Sequence, residues 1–190
     1  PNGDKNTFLA ETPYFRKAFT ICNQAAFRYP LGDMESGFDV RVKVILRELK
    51  LLFPKAHIAL NYSNNWELMV AVQLSAQCTD KRVNIVTPAL FKKYPRLEDY
   101  YNADPAEFEK DIHSTGFFRN KTKNILAAAK MIQEKFGGEI PRTMKEILTI
   151  PGVARKTANV VLGNAYGVVN GIAVDTHVMR LAQKLELTKY

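Results

Sequence analysis

Cysteine, histidine and long apolar runs are all scarce in this sequence of 190 residues. The two cysteines, Cys22 and Cys78, are too few for a disulfide framework or a cysteine-rich metal site, so we expect reduced intracellular thiols. The three histidines are scattered without the spacing of metal ligands. No apolar run approaches the length of a membrane span, and the first residues lack the apolar segment of a signal peptide. These absences disfavour disulfide-rich, zinc-binding and membrane-spanning classes of protein.

The charge balance is strongly basic. Lys and Arg number 27 against 19 Asp and Glu, which gives a formal net charge of +8. Such a balance favours a polyanionic partner, nucleic acid first, although many basic proteins bind no DNA. Hydrophobic residues make up 46% of the chain, enough for a core in one or two domains. Because the chain begins at Pro1 rather than at Met, we expect a processed chain or a fragment.

Helical periodicity dominates from residue 38 onward and predicts an all-α fold. Residues 65–77 are apolar nearly all round, which is typical of a buried helix. Asp104 followed by Pro105 predicts a capped helix start. Further helices are predicted over about 42–53, 79–93, 120–136, 154–165 and 176–187. The apolar residues 168–174 are interpreted as a hydrophobic loop that crosses the core between helices, since a lone hairpin there would have no sheet to join.

A proline-glycine turn joins two predicted helices in residues 143–165. A capping box opens the first helix at Thr143, and the turn starts the second. The first amides of a helix have no intrahelical acceptor and lie at the positive end of its dipole. Gly152, Val153 and Ala154 are therefore candidates to bind a phosphate, with added charge from Arg155. The turn taken alone could equally be a plain connection between helices.

Three short segments carry the most specific pattern in the chain. They are PGVARKTANVV with VDTHV inside 150–178, LSAQCTD at 74–80 and STGFF at 114–118. In this order and spacing they resemble the endonuclease III family of DNA glycosylases over about 56–187. The resemblance implies a six-helix barrel domain with a helix-hairpin-helix motif. It also implies a monomer that binds double-stranded DNA carrying a damaged base or an abasic site, without a membrane.

The resemblance makes Lys156 the catalytic nucleophile and Asp175 the assisting carboxylate. The chemistry suits these residue types, because a carboxylate stabilises positive character on the sugar and an amine with a lowered pKa can attack it. The amine attacks the sugar C1′, expels the base and leaves a Schiff base, and β-elimination then cuts the strand. Without the resemblance, Lys156 is an ordinary solvated lysine. Asp175 fits the N-cap of the next helix, a role that can coexist with catalysis.

Base excision also requires the damaged nucleotide to leave the stack. By resemblance, Gln77 fills the vacated gap, Phe117 wedges the opposite strand and Phe118 supports it, although the family commonly has an aliphatic residue at 117. The alternatives are a polar helix end for Gln77 and core packing for the two phenylalanines. We also expect Arg119, Lys121 and Lys123 to lie near phosphates or on a solvated face.

The resemblance implies oxidised pyrimidines as the damaged bases. Adenine-specific relatives place a catalytic glutamate on the helix at 66–77, where this chain has only Glu67 at the helix start. The chain also keeps Lys156, so both points favour a bifunctional glycosylase and abasic-site lyase. A non-catalytic or weakly active DNA-binding remnant is the alternative. A monofunctional glycosylase, a further alternative, would normally lack the lysine.

The predicted domains follow the same resemblance. Residues 1–37 form an atypical aromatic-rich extension, 38–55 a helix of an incomplete second helical domain, and 56–168 the six-helix domain. Residues 169–190 hold the aspartate segment and the start of a truncated C-terminal part. Family members carry four cysteines beyond the aspartate for a 4Fe–4S cluster, and those ligands are absent from this sequence, so no cofactor is expected within the chain. We expect a truncated chain or an atypical lineage, and the alternative is that residues 1–37 replace the missing part. The expected location is the bacterial cytoplasm near the nucleoid, or a nucleus or organelle if the source is eukaryotic.

Overall fold

The computed structural model of the protein describes residues 37–189. The predicted extension over 1–37 therefore lies outside the described residues except for Gly37, and Cys22 lies outside them too. The helices are α1 (Gly37–Leu52), α2 (Asn65–Leu74), α3 (Asp80–Lys93), α4 (Leu97–Tyr101), α5 (Pro105–Ile112), α6 (Phe118–Phe136), α7 (Met144–Ile147), α8 (Arg155–Tyr166) and α9 (Thr176–Lys184). A 3-10 turn spans His113–Thr115. The described part of the chain contains no strand, and the all-α prediction is confirmed.

The chain divides into two compact units. One holds residues 58–175, with α2 to α8, and the other holds α1 and α9. Within the second of these, the Arg41 guanidinium pairs with the Glu186 carboxylate. None of the described helices is long and apolar enough to span a bilayer. The domain boundaries drawn from the sequence stay a prediction.

Local capping signals account for where several helices begin. The Thr79 hydroxyl accepts a hydrogen bond from the Arg82 amide, at 3.3 Å, at the start of α3. The Asp104 carboxylate accepts from the Glu107 amide, at 2.9 Å, and Pro105 occupies the first position of α5. Both starts were predicted, because each depends on contacts over three residues of chain.

Two elements were not predicted. Helix α4 spans only Leu97–Tyr101, too short to show a periodic pattern, yet it packs on α6 and buries Tyr100. The 3-10 turn at His113–Thr115 lies directly before the second recognition segment. Helix α2 also ends earlier than predicted, at Leu74, so the residues that follow form a loop rather than a further turn of helix.

Helix α2 lies at the centre of the 58–175 unit. Every residue from Leu68 to Leu74 is buried, which agrees with its all-round apolar sequence. The helix packs against α3, α6 and α8. It therefore connects the hairpin carried by α8 to the loop that follows Leu74, and the candidate site is built around these two ends.

Candidate active site

The hairpin between α7 and α8 depends on one glycine. Gly152 has φ +76°, and a Cβ atom placed on it would lie 2.9 Å from the Cβ of Asn124 on α6. Any other residue would need a left-handed backbone and would also collide with that helix. The tight proline-glycine turn predicted from the sequence is therefore required both by backbone conformation and by close packing.

The amides of the hairpin divide into two groups. The Val153 amide donates to the Ile150 carbonyl at 3.1 Å, so it closes the turn rather than facing outward. The amides of Gly152 and Ala154 have no acceptor among the described residues. Ala154 is the N-cap of α8 and offers no side-chain cap, and the first amide bonded within the helix is that of Ala158. The start of α8 thus presents unpaired amides at the positive end of its dipole.

A buried glutamine holds this hairpin to the centre of the unit. Gln73 on α2 is 6% exposed, and its Nε2 donates to the Pro151 carbonyl at 3.2 Å. This residue was not predicted from the sequence. The available signal was a lone amide inside an otherwise apolar helix, a position that requires a buried hydrogen-bond partner.

The two predicted catalytic side chains lie together. Lys156 Nζ is 3.7 Å from Asp175 Oδ2, although the residues are separated by a helix and a loop. Both side chains remain accessible, at 46% for Lys156 and 38% for Asp175. The pair is therefore not a buried structural ion pair, and a substrate can reach both groups.

Asn159 connects the helix of Lys156 to the segment that carries Asp175. Its side chain lies three residues after Lys156, on the same side of α8. The Asn159 Nδ2 donates to the Ile172 carbonyl at 3.2 Å, three residues before Asp175. Residues 168–174 form the predicted loop, but the expectation that it crosses the core is wrong, because its Ile172 side chain is 75% exposed. The hydrogen bond ties the loop to α8. Asn159 was not predicted either, because it offers no signal beyond its helical spacing from the lysine.

The two residues predicted to enter the duplex share an unusual backbone. Gln77 has φ +52° and Phe117 has φ +48°, left-handed values that side-chain-bearing residues adopt infrequently. Gln77 is exposed, and Phe117 is 62% exposed despite its apolar ring. Strained and exposed residues of this kind concentrate at functional sites. Core packing, the alternative interpretation, does not describe Phe117.

Phe118 is placed differently from Phe117. Its ring is partly buried against the core and lies 4.4 Å from the His113 ring, with the Arg119 guanidinium 5.6 Å from its centroid. It can therefore support its neighbour, as the sequence resemblance implied, while packing as the alternative interpretation held. Glu67, the acid at the start of α2, accepts a hydrogen bond from the Ser63 amide at 2.6 Å.

One surface prediction is wrong. Arg119 and Lys123 are exposed, as expected of residues near phosphate or solvent, but Lys121 is only 6% exposed. Its ammonium lies inside the unit, hydrogen-bonded to backbone carbonyls. Helical periodicity does not reveal that this lysine is buried, because its two acceptor carbonyls belong to other elements of the fold. Over residues 37–189, no group of three or more His, Cys, Asp or Glu is placed to bind a metal ion.

Comparison with known proteins agrees with this geometry. Residues 70–190 match the family model described as HhH-GPD superfamily base excision DNA repair protein. The chain is 57% identical to the endonuclease III of Synechocystis sp. over 149 residues, which is 78% of this chain and 68% of that protein. It is 49% identical to the endonuclease III of Bacillus subtilis over 150 residues, covering 79% and 68% of the two chains.

Solved structures give the same result. A non-covalent endonuclease III–DNA complex superimposes with a TM-score of 0.73 at 46% identity, covering 78% of this chain and 68% of that one. A trapped endonuclease III–DNA covalent intermediate matches with the same TM-score, identity and coverage.

Proposed function

The chain belongs to the HhH-GPD superfamily of base excision DNA repair proteins, and we propose that it removes oxidised pyrimidines from double-stranded DNA and cuts the resulting abasic site through Lys156. At the coarser level it is a base excision repair DNA glycosylase and abasic-site lyase of the endonuclease III kind. The observation that carries the residue assignment is the 3.7 Å separation between Lys156 Nζ and Asp175 Oδ2.

In the proposed reaction, Asp175 accepts the proton that Lys156 must lose before it can act as a nucleophile. The free amine attacks the sugar C1′, and the base departs with the electron pair of the glycosidic bond and takes up a proton. The proton that Asp175 accepted passes to the departing base, and the restored carboxylate stabilises the positive character that develops on the sugar. The sugar ring then opens to a Schiff base on Lys156.

Strand cleavage follows from the same intermediate. Loss of a proton from C2′ expels the 3′ phosphate by β-elimination, because the protonated Schiff base accepts the electron pair. Water then hydrolyses the Schiff base and returns the amine of Lys156. No external oxidant or reductant enters either step.

The remaining proposed roles concern DNA. The outward amides of Gly152 and Ala154, with the charge of Arg155, bind a backbone phosphate at the start of α8. Gln77 occupies the gap left by the extruded nucleotide, and Phe117 stacks against the bases of the opposite strand. A non-catalytic DNA-binding protein would need only the hairpin, and the Lys156–Asp175 pair would have no part in it.

Borohydride trapping tests the residue assignment. The intact chain is mixed with duplexes that carry an abasic site, an oxidised pyrimidine, an oxidised purine or uracil, and borohydride reduces any Schiff base to a stable covalent complex. We expect trapping with the abasic site and the oxidised pyrimidine. Lys156→Gln abolishes it, whereas Lys145→Gln, an exposed lysine of the same hairpin, leaves it intact.

Each other outcome has a defined meaning. Trapping that persists in Lys156→Gln shows that another amine is the nucleophile. Absence of trapping by the intact chain on every duplex contradicts the lyase mechanism, and a preference for the oxidised purine contradicts the proposed substrate.

A further inference from the structure

Lys121 is a buried lysine with an unusual set of partners. It lies on α6, and its Nζ donates to the Leu74 carbonyl and to the Thr115 carbonyl, each at 2.8 Å. The residue is 6% exposed, and burial lowers the pKa of its ammonium by desolvation. Both of these acceptors are neutral backbone groups rather than carboxylates.

Burying an ammonium without a carboxylate partner is unfavourable, and an apolar side chain would fill the same space at lower cost. We therefore explain the buried positive charge of Lys121 by the two backbone carbonyls that it binds. Leu74 is the last residue of α2, where carbonyls lack intrahelical donors and carry the negative end of the helix dipole. Thr115 ends the 3-10 turn. One ammonium thus satisfies the ends of two separate elements.

Those two ends lead directly to the residues expected to enter the duplex. Leu74 precedes Gln77 by three residues, and Thr115 precedes Phe117 by two. Both Gln77 and Phe117 have left-handed φ values, which persist only when the surrounding structure holds them. The same ammonium therefore links the two loops that carry these left-handed residues.

We propose that Lys121 is a positioning residue that ties the Leu74–Cys78 loop to the Thr115–Phe117 turn and so fixes the spacing between Gln77 and Phe117 for base extrusion. This inference rests on the proposed function, because it assigns Lys121 a part in the same reaction. Lys121 contacts no reacting atom. Its loss lets the two loops move independently, which slows extrusion of a stacked base and leaves the chemistry at Lys156 unchanged.

Two substrates separate positioning from general damage. One is a duplex with an oxidised pyrimidine, whose base must be extruded before it is removed. The other is a duplex with a preformed abasic site, which has no stacked base to extrude. Single-turnover rates are measured on both for Lys121→Met, which keeps the length of the side chain and removes its donors, and for Lys135→Met, an exposed control in the last turn of the same helix.

We expect Lys121→Met to slow base removal by about tenfold to a hundredfold, as misplacement of a positioning group does. Cleavage of the preformed abasic site should change by less than about threefold. The fluorescence of 2-aminopurine placed beside the lesion rises when the base stack opens. The rate of this rise should fall in parallel with the rate of base removal. Lys135→Met should behave as the unsubstituted protein on both duplexes. The inference is overturned if Lys121→Met lowers the single-turnover rate equally on the two duplexes, or lowers it on neither.

A second variant covers a failure to fold. If Lys121→Met shows no cooperative thermal transition, Lys121→Gln is compared with Lys135→Gln, since glutamine keeps an amide donor in the buried position. Selective loss on the lesion duplex supports the inference, and equal or absent loss contradicts it. Failure of the proposed function is distinguishable, because the unsubstituted protein would then be inactive on both duplexes.

Discussion

The chemical pair, Lys156 and Asp175, differs in construction from the two loops that carry Gln77 and Phe117. Lys156 and Asp175 are both substantially exposed, and the distance between them is that of an ion pair at a surface. The side chains of Gln77 and Phe117 are exposed, and both residues have left-handed backbones. The buried ammonium of Lys121 donates to a backbone carbonyl two or three residues before each of them. The reacting groups need access to the sugar, whereas residues that displace a base need a rigid support. Accordingly, the buried ammonium of Lys121 lies beneath the two loops, whereas the chemical pair is open to solvent.

The strongest test of the chemical side is Asp175→Asn. Asparagine keeps the shape of the side chain but can neither accept the proton from Lys156 nor stabilise positive charge on the sugar. We expect single-turnover base removal to fall by about a hundredfold to ten-thousandfold, the range of general acid–base catalysis. DNA affinity, measured by fluorescence anisotropy on a duplex with an uncleavable abasic analogue, should change little. A rate near that of the unsubstituted protein would remove Asp175 from the mechanism.

The next test concerns the hairpin between α7 and α8, which is proposed to bind a DNA phosphate, and it uses Gly152→Ala. The added methyl group meets Asn124 at 2.9 Å, and alanine must adopt φ +76°. We expect the free energy of unfolding to fall by about 1–3 kcal/mol in a urea titration, with weaker DNA binding because the phosphate-binding amides shift.

Gly163→Ala is the matched control for the hairpin. Gly163 lies within α8, and no atom outside its own helix backbone lies within 4 Å of the position that the added methyl group would take. Alanine should therefore stabilise the helix by about 0.5–1 kcal/mol. If the two substitutions have equal effects on stability, the strain assigned to Gly152 is absent.

A smaller effect on the rate of base removal is expected at Asn159, which joins α8 to the segment that carries Asp175. Asn159→Ala removes the hydrogen bond to the Ile172 carbonyl and loosens the segment before Asp175. We expect base removal to slow by about tenfold with DNA affinity unchanged, because the carboxylate is held less firmly. In Asn164→Ala, the control on the same helix, only a bond to the Val160 carbonyl is lost. Similar rates for the two variants would show that Asn159 does not position the segment.

The smallest effect belongs to Tyr94, which lies outside both regions. Burial and the hydrogen bond to the Asp111 carboxylate raise the pKa of Tyr94 to about 12. The unfolded phenol ionises near pH ~10, so the contribution of Tyr94 to stability is present below that pH and is lost as pH rises towards the folded pKa. Tyr94→Phe should lower the free energy of unfolding by about 1 kcal/mol at neutral pH.

The alkaline dependence gives a second measurement for the same variant. Urea unfolding between about pH 9 and 11 should show a shallower loss of stability in Tyr94→Phe than in the unsubstituted protein. Base removal should be unaffected at neutral pH. If it falls as it does in Lys121→Met, then general loss of stability rather than positioning explains both variants.

Local signals were reliable where both partners are close in sequence. Asp104 caps the helix predicted from it, and Thr79 caps the helix predicted to begin near residue 79, since each contact spans three residues. Helix α4 escaped prediction because five residues are too few for a periodic pattern. The Val153 amide was assigned to phosphate, but it closes the turn onto Ile150, a bond that depends on the exact path of the hairpin.

By itself, the sequence determined the all-helical class and the position of the hairpin, because spacing along the chain encodes helical faces, caps and turns. The candidate chemical groups followed from the resemblance of its short motifs to a known family. Only the tertiary structure decided that Lys121 is buried, that Gln73 bonds to Pro151 and that Asn159 bonds to Ile172. These hydrogen bonds join residues distant in sequence, or groups whose orientation depends on the packing of whole helices. A lysine bears the same charge on a surface or in a core, and only the carbonyls brought to it by folding distinguish the two.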